Sequence, residues 1–227
     1  MSNPNYIKTI YDLKKKPLTN YPSVLIRHII SKYKIRKNSS ILDLGCGRGE
    51  FLNEFINHGM EGHGVDFSDF AIKHCPKARI NVMDIEKENI PYPDNTFDVV
   101  YSKSFVEHFY YPEKIFKEAY RVLKPGGTII TLTPEWQYIY KSFFEDFTHR
   151  TPFTNISLKN IQAMSGFKDI KVESFKQLPI LFENSLFSKI FSFFSFLTRI
   201  LVPEKLRMKN KWIRFSKEIM LLSVSRK

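Results

Sequence analysis

Two acids and three glycines stand where a nucleotide-type ligand could be held. Asp43 lies in Ile41-Leu42-Asp43-Leu44; Gly45, Gly47 and Gly49 follow, and Asp66 ends Gly62-His63-Gly64-Val65-Asp66. Glycines let the main chain take left-handed dihedrals and approach a ligand closely. Glu50 to Ile56 then repeats with helical periodicity, and a helix start offers unpaired N–H groups. A strand running through a glycine turn into a helix opens a nucleotide-binding α/β sheet. In such a sheet the second strand lies beside the first, so its C-terminal acid, Asp66, meets the glycine loop and accepts from ribose hydroxyls. The alternative for Asp66 is a cap on the helix that starts near Ser68. Phe67 could lie against an adenine ring. The spacing is G-x-G-x-G, whereas dinucleotide folds use G-x-G-x-x-G, which disfavours a nicotinamide-linked oxidoreductase.

A second set of residues could move protons. His149 and His108 are candidate bases, since a neutral imidazole near pH 7 can take a proton. His149 is the first choice and His108 the second; the alternative for His149 is a polar residue that fixes the loop before the next helix. His63, His74 and Cys75 match no four-ligand zinc spacing, so no metal site is expected. Two cysteines, Cys46 and Cys75, make no disulfide framework.

Around these residues the chain alternates strand and helix signals. The spacing predicts strands over 41–44, 62–66, 78–82, 97–102, 128–132, 167–175 and 218–224. Gly59 is expected to cap the first core helix, and Gly166 one over 157–165. A helix is expected from Pro112 to Leu123. Lys124-Pro125-Gly126-Gly127 should stop that helix and turn the chain. Residues 1–40 look helical in two pieces, with Pro17 and Pro22 between them, as a cap over the sheet or the ligand mouth. Lys14, Lys15 and Lys16 form a solvated face.

The ordered motifs resemble those of the class I S-adenosylmethionine (SAM)-dependent methyltransferases. They are Asp43-Leu44-Gly45-Cys46-Gly47-Arg48-Gly49, the acid at 66, Asp84-Ile85, Ile90-Pro-Tyr-Pro-Asp-Asn-Thr-Phe-Asp-Val-Val, Phe105-Val106-Glu107-His108, and Arg121-Val-Leu-Lys-Pro-Gly-Gly. The resemblance implies an α/β, Rossmann-like, seven-stranded, mostly parallel sheet with helices on both faces and an antiparallel C-terminal hairpin. It implies one domain over 1–227, with a cofactor-binding core over 41–175, an insertion over 176–215 and a last strand over 216–227. SAM would be the cofactor and S-adenosylhomocysteine the product. The implied cofactor residues are Asp43, Gly45, Cys46, Gly47, Gly49, Asp66, Phe67, Asp84, Ile85 and Ser102. Asp84 would accept from the adenine amino group while the Ile85 N–H donates to the ring. Residues 105–108 would line the methyl-donor end. Asp146-Phe147-Thr148-His149-Arg150-Thr151-Pro152-Phe153-Thr154 resembles a segment of methyltransferases in polysaccharide and small-metabolite biosynthesis.

Charge bears on the acceptor. The net charge is +12, carried by the flanks: residues 1–40 hold nine Lys/Arg against one acid, and 176–227 hold eleven against three. Basic flanks suit a small anionic acceptor, nucleic acid or a membrane surface, or form plain solvated surface. The aromatic and basic stretch 176–215 reads as a lid, a dimer face, a membrane-surface helix or an inserted helix packed on the core. No signal segment or membrane span is evident, so a cytoplasmic chain is expected, with the inner membrane surface as a variant. The Asn/Asp-Pro-Pro-Tyr/Phe motif that grips amide or adenine nitrogens does not follow the fourth strand, and paired catechol-type metal ligands are not evident. The leading expectation is an O-methyltransferase on a sugar- or phosphate-linked metabolite of surface-polysaccharide biosynthesis. An RNA methyltransferase and a non-catalytic SAM-binding partner protein are the alternatives.

Overall fold

The computed structural model describes residues 17–182 and 186–227. In chain order the core elements are α1 (Tyr21–Tyr33), β1 (Ser40–Leu44), α2 (Glu50–Asn57), β2 (Glu61–Asp66), α3 (Phe70–His74), β3 (Arg79–Val82), β4 (Phe97–Lys103), α4 (Pro112–Val122) and β5 (Leu123–Pro134). There follow α5 (Trp136–Ile139), α6 (Asn155–Met164), β6 (Lys168–Lys176), α7 (Pro179–Phe182), α8 (Leu186–Leu201), α9 (Lys211–Lys217) and β7 (Ile219–Arg226). The strands form one seven-stranded sheet in the order β3-β2-β1-β4-β5-β7-β6. Neighbours from β3 to β5 pair parallel, and β7 runs antiparallel to both β5 and β6. This is the expected mostly parallel sheet with an antiparallel C-terminal hairpin.

Alternation along the strands explains the two apolar layers. Leu42, Leu44 and Val100 face Phe116, Ala119 and Leu158 on one side. Ile41, Val99 and Tyr101 face Leu25, Ile26, Ile29 and Phe55 on the other. The strand order reverses between β1 and β4, so the crevice for a ligand opens at the C-terminal ends of these strands. Glu118 and Arg121 on α4 fix the long 89–95 loop. Glu118 accepts from Ile90 N at 2.8 Å, while Arg121 donates to the Ile90 and Tyr92 carbonyls and to Asp94.

Two local expectations change. Pro22 does not divide two helices, because it sits in the first turn of α1, where its missing N–H is harmless. The other expected helical piece and Lys14–Lys16 lie outside the described residues. Lys124–Gly127 does not separate α4 from β5. It bulges within β5 between the Leu123–Phe97 and Thr128–Val99 pairs. Gly126 takes φ +78°, and Lys227 closes the bulge through Gly126 N and Gly127 O. The 176–215 stretch carries α7, α8, a 3₁₀ helix (Glu204–Lys209) and α9. Buried Arg207 ties it down by pairing with Glu145, Glu204 and Glu218.

Candidate active site

The loop after β1 is shaped by what surrounds each glycine. Gly45, Gly47 and Gly49 have φ of +75°, +54° and +76°, the left-handed region that side chains resist. A Cβ at Gly45 would lie 2.1 Å from Phe105 Cδ2, so the Phe105 ring occupies that space. A Cβ at Gly49 would lie 2.7 Å from Cys75 Cβ, which seats the start of α2 against the end of α3. A Cβ at Gly47 would approach only the Gly45 carbonyl, at 4.0 Å, and leaves room for a ligand.

Asp66 ties this loop to β2. Its two carboxylate oxygens accept from Gly47 N and Ser68 N, each at 2.8 Å. Burial raises the carboxyl above its ordinary range, against the backbone hydrogen bonds from Ser68, Gly47 and Phe67. Asp43 lies in β1 between Gly64 and Tyr101. Burial, with the charge of Asp66 added, pushes it up to about 8. Burial also raises the Cys46 thiol well above its usual range, so Cys46 is no thiolate nucleophile.

A cleft opens over these strand ends. Its floor is Gly45 to Arg48 with Glu50 and Phe51, and its sides are Val65 to Ser68, Met83 to Ile85, Lys103 to Phe105, and His108 with Phe109. Asp84 lines it while also capping its own turn, accepting from Glu86 N and pairing with Lys87. Arg48 is held by Glu50. Lys103 reaches over the rings of Tyr21 and Phe51, and burial lowers its ammonium.

After β4 the chain turns sharply. Ser104 takes φ +52°, a strained value for serine. It leads into a one-turn 3₁₀ helix, Val106–His108. The Glu107 carbonyl accepts from Arg150 N at 2.8 Å and Thr151 N at 3.0 Å, which docks the 146–151 loop onto this turn. His108 Nδ1 lies 2.9 Å from Thr148 Oγ1, which donates to Asp146 at 2.6 Å. Burial, then the charge of His149, lowers the His108 imidazole to about 4, so it is neutral at pH 7. Glu107 is buried at 1% exposure. One carboxyl oxygen accepts from Thr133 at 3.0 Å and the other has no hydrogen-bond partner. Burial pushes this carboxyl up to about 7, against the charge of Lys103.

The structure thus brings Gly45, Cys46, Gly47, Asp66, Phe67, Asp84, Ile85 and His108 to one cleft. Asp43, Gly49, Ser102 and His149 do not line it. Ser102 is buried at 1% exposure, and the cleft takes Lys103 to Phe105 instead. His149 sits behind His108, ring to ring at 4.8 Å, with Nδ1 at 2.6 Å from the Phe143 carbonyl oxygen. Phe105 lines the cleft as the resemblance implies, while sequence reasoning missed Arg48, Lys103 and Met83, whose signal is only their place just after the glycine turn or at strand ends. Glu107, His108 and His149 bring three possible metal ligands within 4.8 Å of one another. Each of the three spends one atom on the protein: Glu107 Oε2 on Thr133, His108 Nδ1 on Thr148 and His149 Nδ1 on the Phe143 carbonyl. His63 packs against Tyr92, with Nδ1 at 3.0 Å from the phenol oxygen.

The donor set fits SAM. An acid at the tip of β2, open space over Gly47, an apolar wall of Phe67, Met83 and Ile85, and a polar far end at His108 would suit its ribose, its amino-acid part, its adenine and its methyl group. Comparison with known proteins agrees. Residues 42–131 match a family model described as a methyltransferase domain. A SAM-dependent methyltransferase from Archaeoglobus fulgidus superposes with a TM-score of 0.70 at 25% identity, covering 97% of this chain and 99% of that one. A demethylmenaquinone methyltransferase of Staphylococcus epidermidis is 26% identical over 66% of this chain and 76% of its own. A chloroplastic 2-methyl-6-phytyl-1,4-hydroquinone methyltransferase of Oryza sativa is 29% identical over 59% of this chain, which spans 42% of that relative's length. The glycine loop and the strand order agree with these likenesses: the chain carries a methyltransferase domain over residues 42–131 and is similar to SAM-dependent methyltransferases.

Proposed function

We propose that this SAM-dependent methyltransferase methylates a hydroxyl oxygen of a small anionic acceptor that enters the cleft beside His108. SAM, when bound, supplies a methyl group on a positive sulfonium. The residues that would hold it are Asp66 for the ribose, Asp84 and Ile85 for the adenine edge, and the Gly45–Gly47 backbone for the amino-acid part. With charge neutralised rather than created at the methyl donor, the protein's main task is to hold donor and acceptor in line. His108 takes the proton that the acceptor hydroxyl gives up. Asp146 and the backbone of Thr148 and Ser104 favour the imidazolium that forms, while burial opposes it.

The observation that carries this reading is the placement of His108: it lines the cleft with its ring held by Thr148 and Asp146. His149 then serves as a positioning residue, packed between His108 and Phe143. Lys103 at the cleft supports an anionic group. The narrower acceptor, a sugar- or phosphate-linked intermediate of surface-polysaccharide assembly, is supported by the likeness of residues 146–154 to such enzymes.

Two measurements test the proposal. Calorimetry should give micromolar SAM binding, about −8 kcal/mol. Asp66→Ala should weaken it roughly 10- to 100-fold through lost charge-assisted hydrogen bonds. Transfer of labelled methyl to phosphosugars and nucleotide sugars should fall about 10²- to 10⁴-fold in His108→Gln, with SAM affinity kept. Wild-type turnover in that variant would remove His108 from the mechanism.

A further inference from the structure

Helix α8 is turned the wrong way round for a helix that serves only the fold. Its inward side carries Ser195, Thr198 and Arg199 with Phe191. Ser195 is fully buried, Thr198 accepts from Trp212 Nε1 at 2.9 Å, Arg199 stacks over Tyr138 at 4.8 Å, and Phe191 meets the Trp212 ring. The outward side carries Phe187, Ile190, Phe193, Phe194, Ile200 and Leu201, each between 51 and 71% exposed. At 100° per residue these fall on one half of the helix. Soluble proteins rarely leave so large a contiguous apolar face in water.

We infer that α8 is a docking helix that lies in the surface of an anionic lipid bilayer. Length excludes a span: sixteen residues rise about 24 Å, less than the ~20 residues a crossing needs. Charge selects the occupant. The exposed charged side chains described between 187 and 211 are Lys189, Glu204, Lys205, Lys209 and Lys211, and Glu204 is already paired with Arg207 and Lys217. Exposed Met208 and Leu206 interleave with these lysines. An apolar face with Lys189 on the same helix, followed along the chain by Lys205, Lys209 and Lys211, suits acyl chains below and anionic headgroups around. A two-fold dimer through the same face would set like cations against each other.

The inference is independent of the acceptor and of the methyl transfer. Sedimentation of the 227-residue chain with phosphatidylcholine vesicles, with and without phosphatidylglycerol, tests it. Binding is expected to the anionic vesicles and to weaken with salt. Ile190→Gln with Phe194→Gln should lower the partition coefficient about 10-fold or more, with SAM affinity and melting temperature unchanged because both side chains lie outside the core. Undiminished vesicle binding by that variant overturns the inference. So does a wild-type dimer that ignores vesicles and dissociates in the variant. Loss of SAM binding by the wild type would strike the cofactor reading alone.

Discussion

Replacing Glu107 by glutamine should make the protein more stable at neutral pH and leave it unchanged in acid. Glu107 is 1% exposed and leaves one carboxyl oxygen unpartnered. Its carboxyl is raised from 4.5 to about 7. A carboxyl raised by folding holds its proton longer in the native state than in the unfolded chain. Its contribution is therefore complete below 4.5 and is lost as pH climbs through about 7. At 1.36 kcal/mol per pK unit, the rise from 4.5 to about 7 gives a penalty of about 3 kcal/mol at pH 7. His108 titrates with the opposite sign. Its imidazole is lowered from 6.5 to about 4, so the native state loses stability as pH falls from about 6.5 to about 4. In the wild type the two slopes largely cancel between pH 4.5 and 6.5. The amide introduced by Glu107→Gln keeps a hydrogen bond to Thr133 and carries no charge. Urea unfolding of both proteins across this range should show equal stability near pH 4.5 and a gap of about 3 kcal/mol by pH 7, in favour of Glu107→Gln. A gap that stays constant with pH, or a variant less stable at pH 7, would refute the claim that Glu107 is a strained charge.

Two further outcomes follow from packing. Gly45→Ala must place a methyl where the Phe105 ring lies, at φ +75°. Unfolding should show a loss of about 2–4 kcal/mol from strain and overpacking, and Phe105→Ala in the same chain should restore only the overpacking part. Arg121→Ala removes the donors that hold the Ile90 and Tyr92 carbonyls. Hydrogen exchange should quicken over 89–95, with a global loss of about 1–3 kcal/mol.

Much of the frame was legible because it depends on local rules. The glycines of the β1 loop demand positive φ, and Asp66 ends a strand that must lie beside β1, so spacing alone reaches them. Where side chains point is a different matter. Ser102 and Lys103 are adjacent in β4, yet alternation sends them to opposite faces, and only Lys103 reaches the cleft. Sequence periodicity could not say which, because β4 has apolar cover on both faces. His149 and His108 illustrate the same limit. Their order relative to the cleft follows from the 146–151 loop hanging on the Glu107 carbonyl, a contact between distant segments. The aromatic content of the stretch holding α8 was plain, but an apolar stripe normally faces inward, and here Thr198 and Arg199 have the inner side.

The position of β7 in the sheet sets an order of events during synthesis. It lies between β5 and β6, yet a ribosome makes it after both. Until Ile219–Arg226 emerges, β6 has no partner and β5 has an open flank. During that interval the apolar half of α8 has also been made. A nascent chain paused between Leu201 and Ile219 therefore displays an unpaired strand and an uncovered apolar helix together, the combination that invites aggregation. Completion of β7 closes both strands in one step, so a chain lacking β7 would lose the pairing of β6 as well.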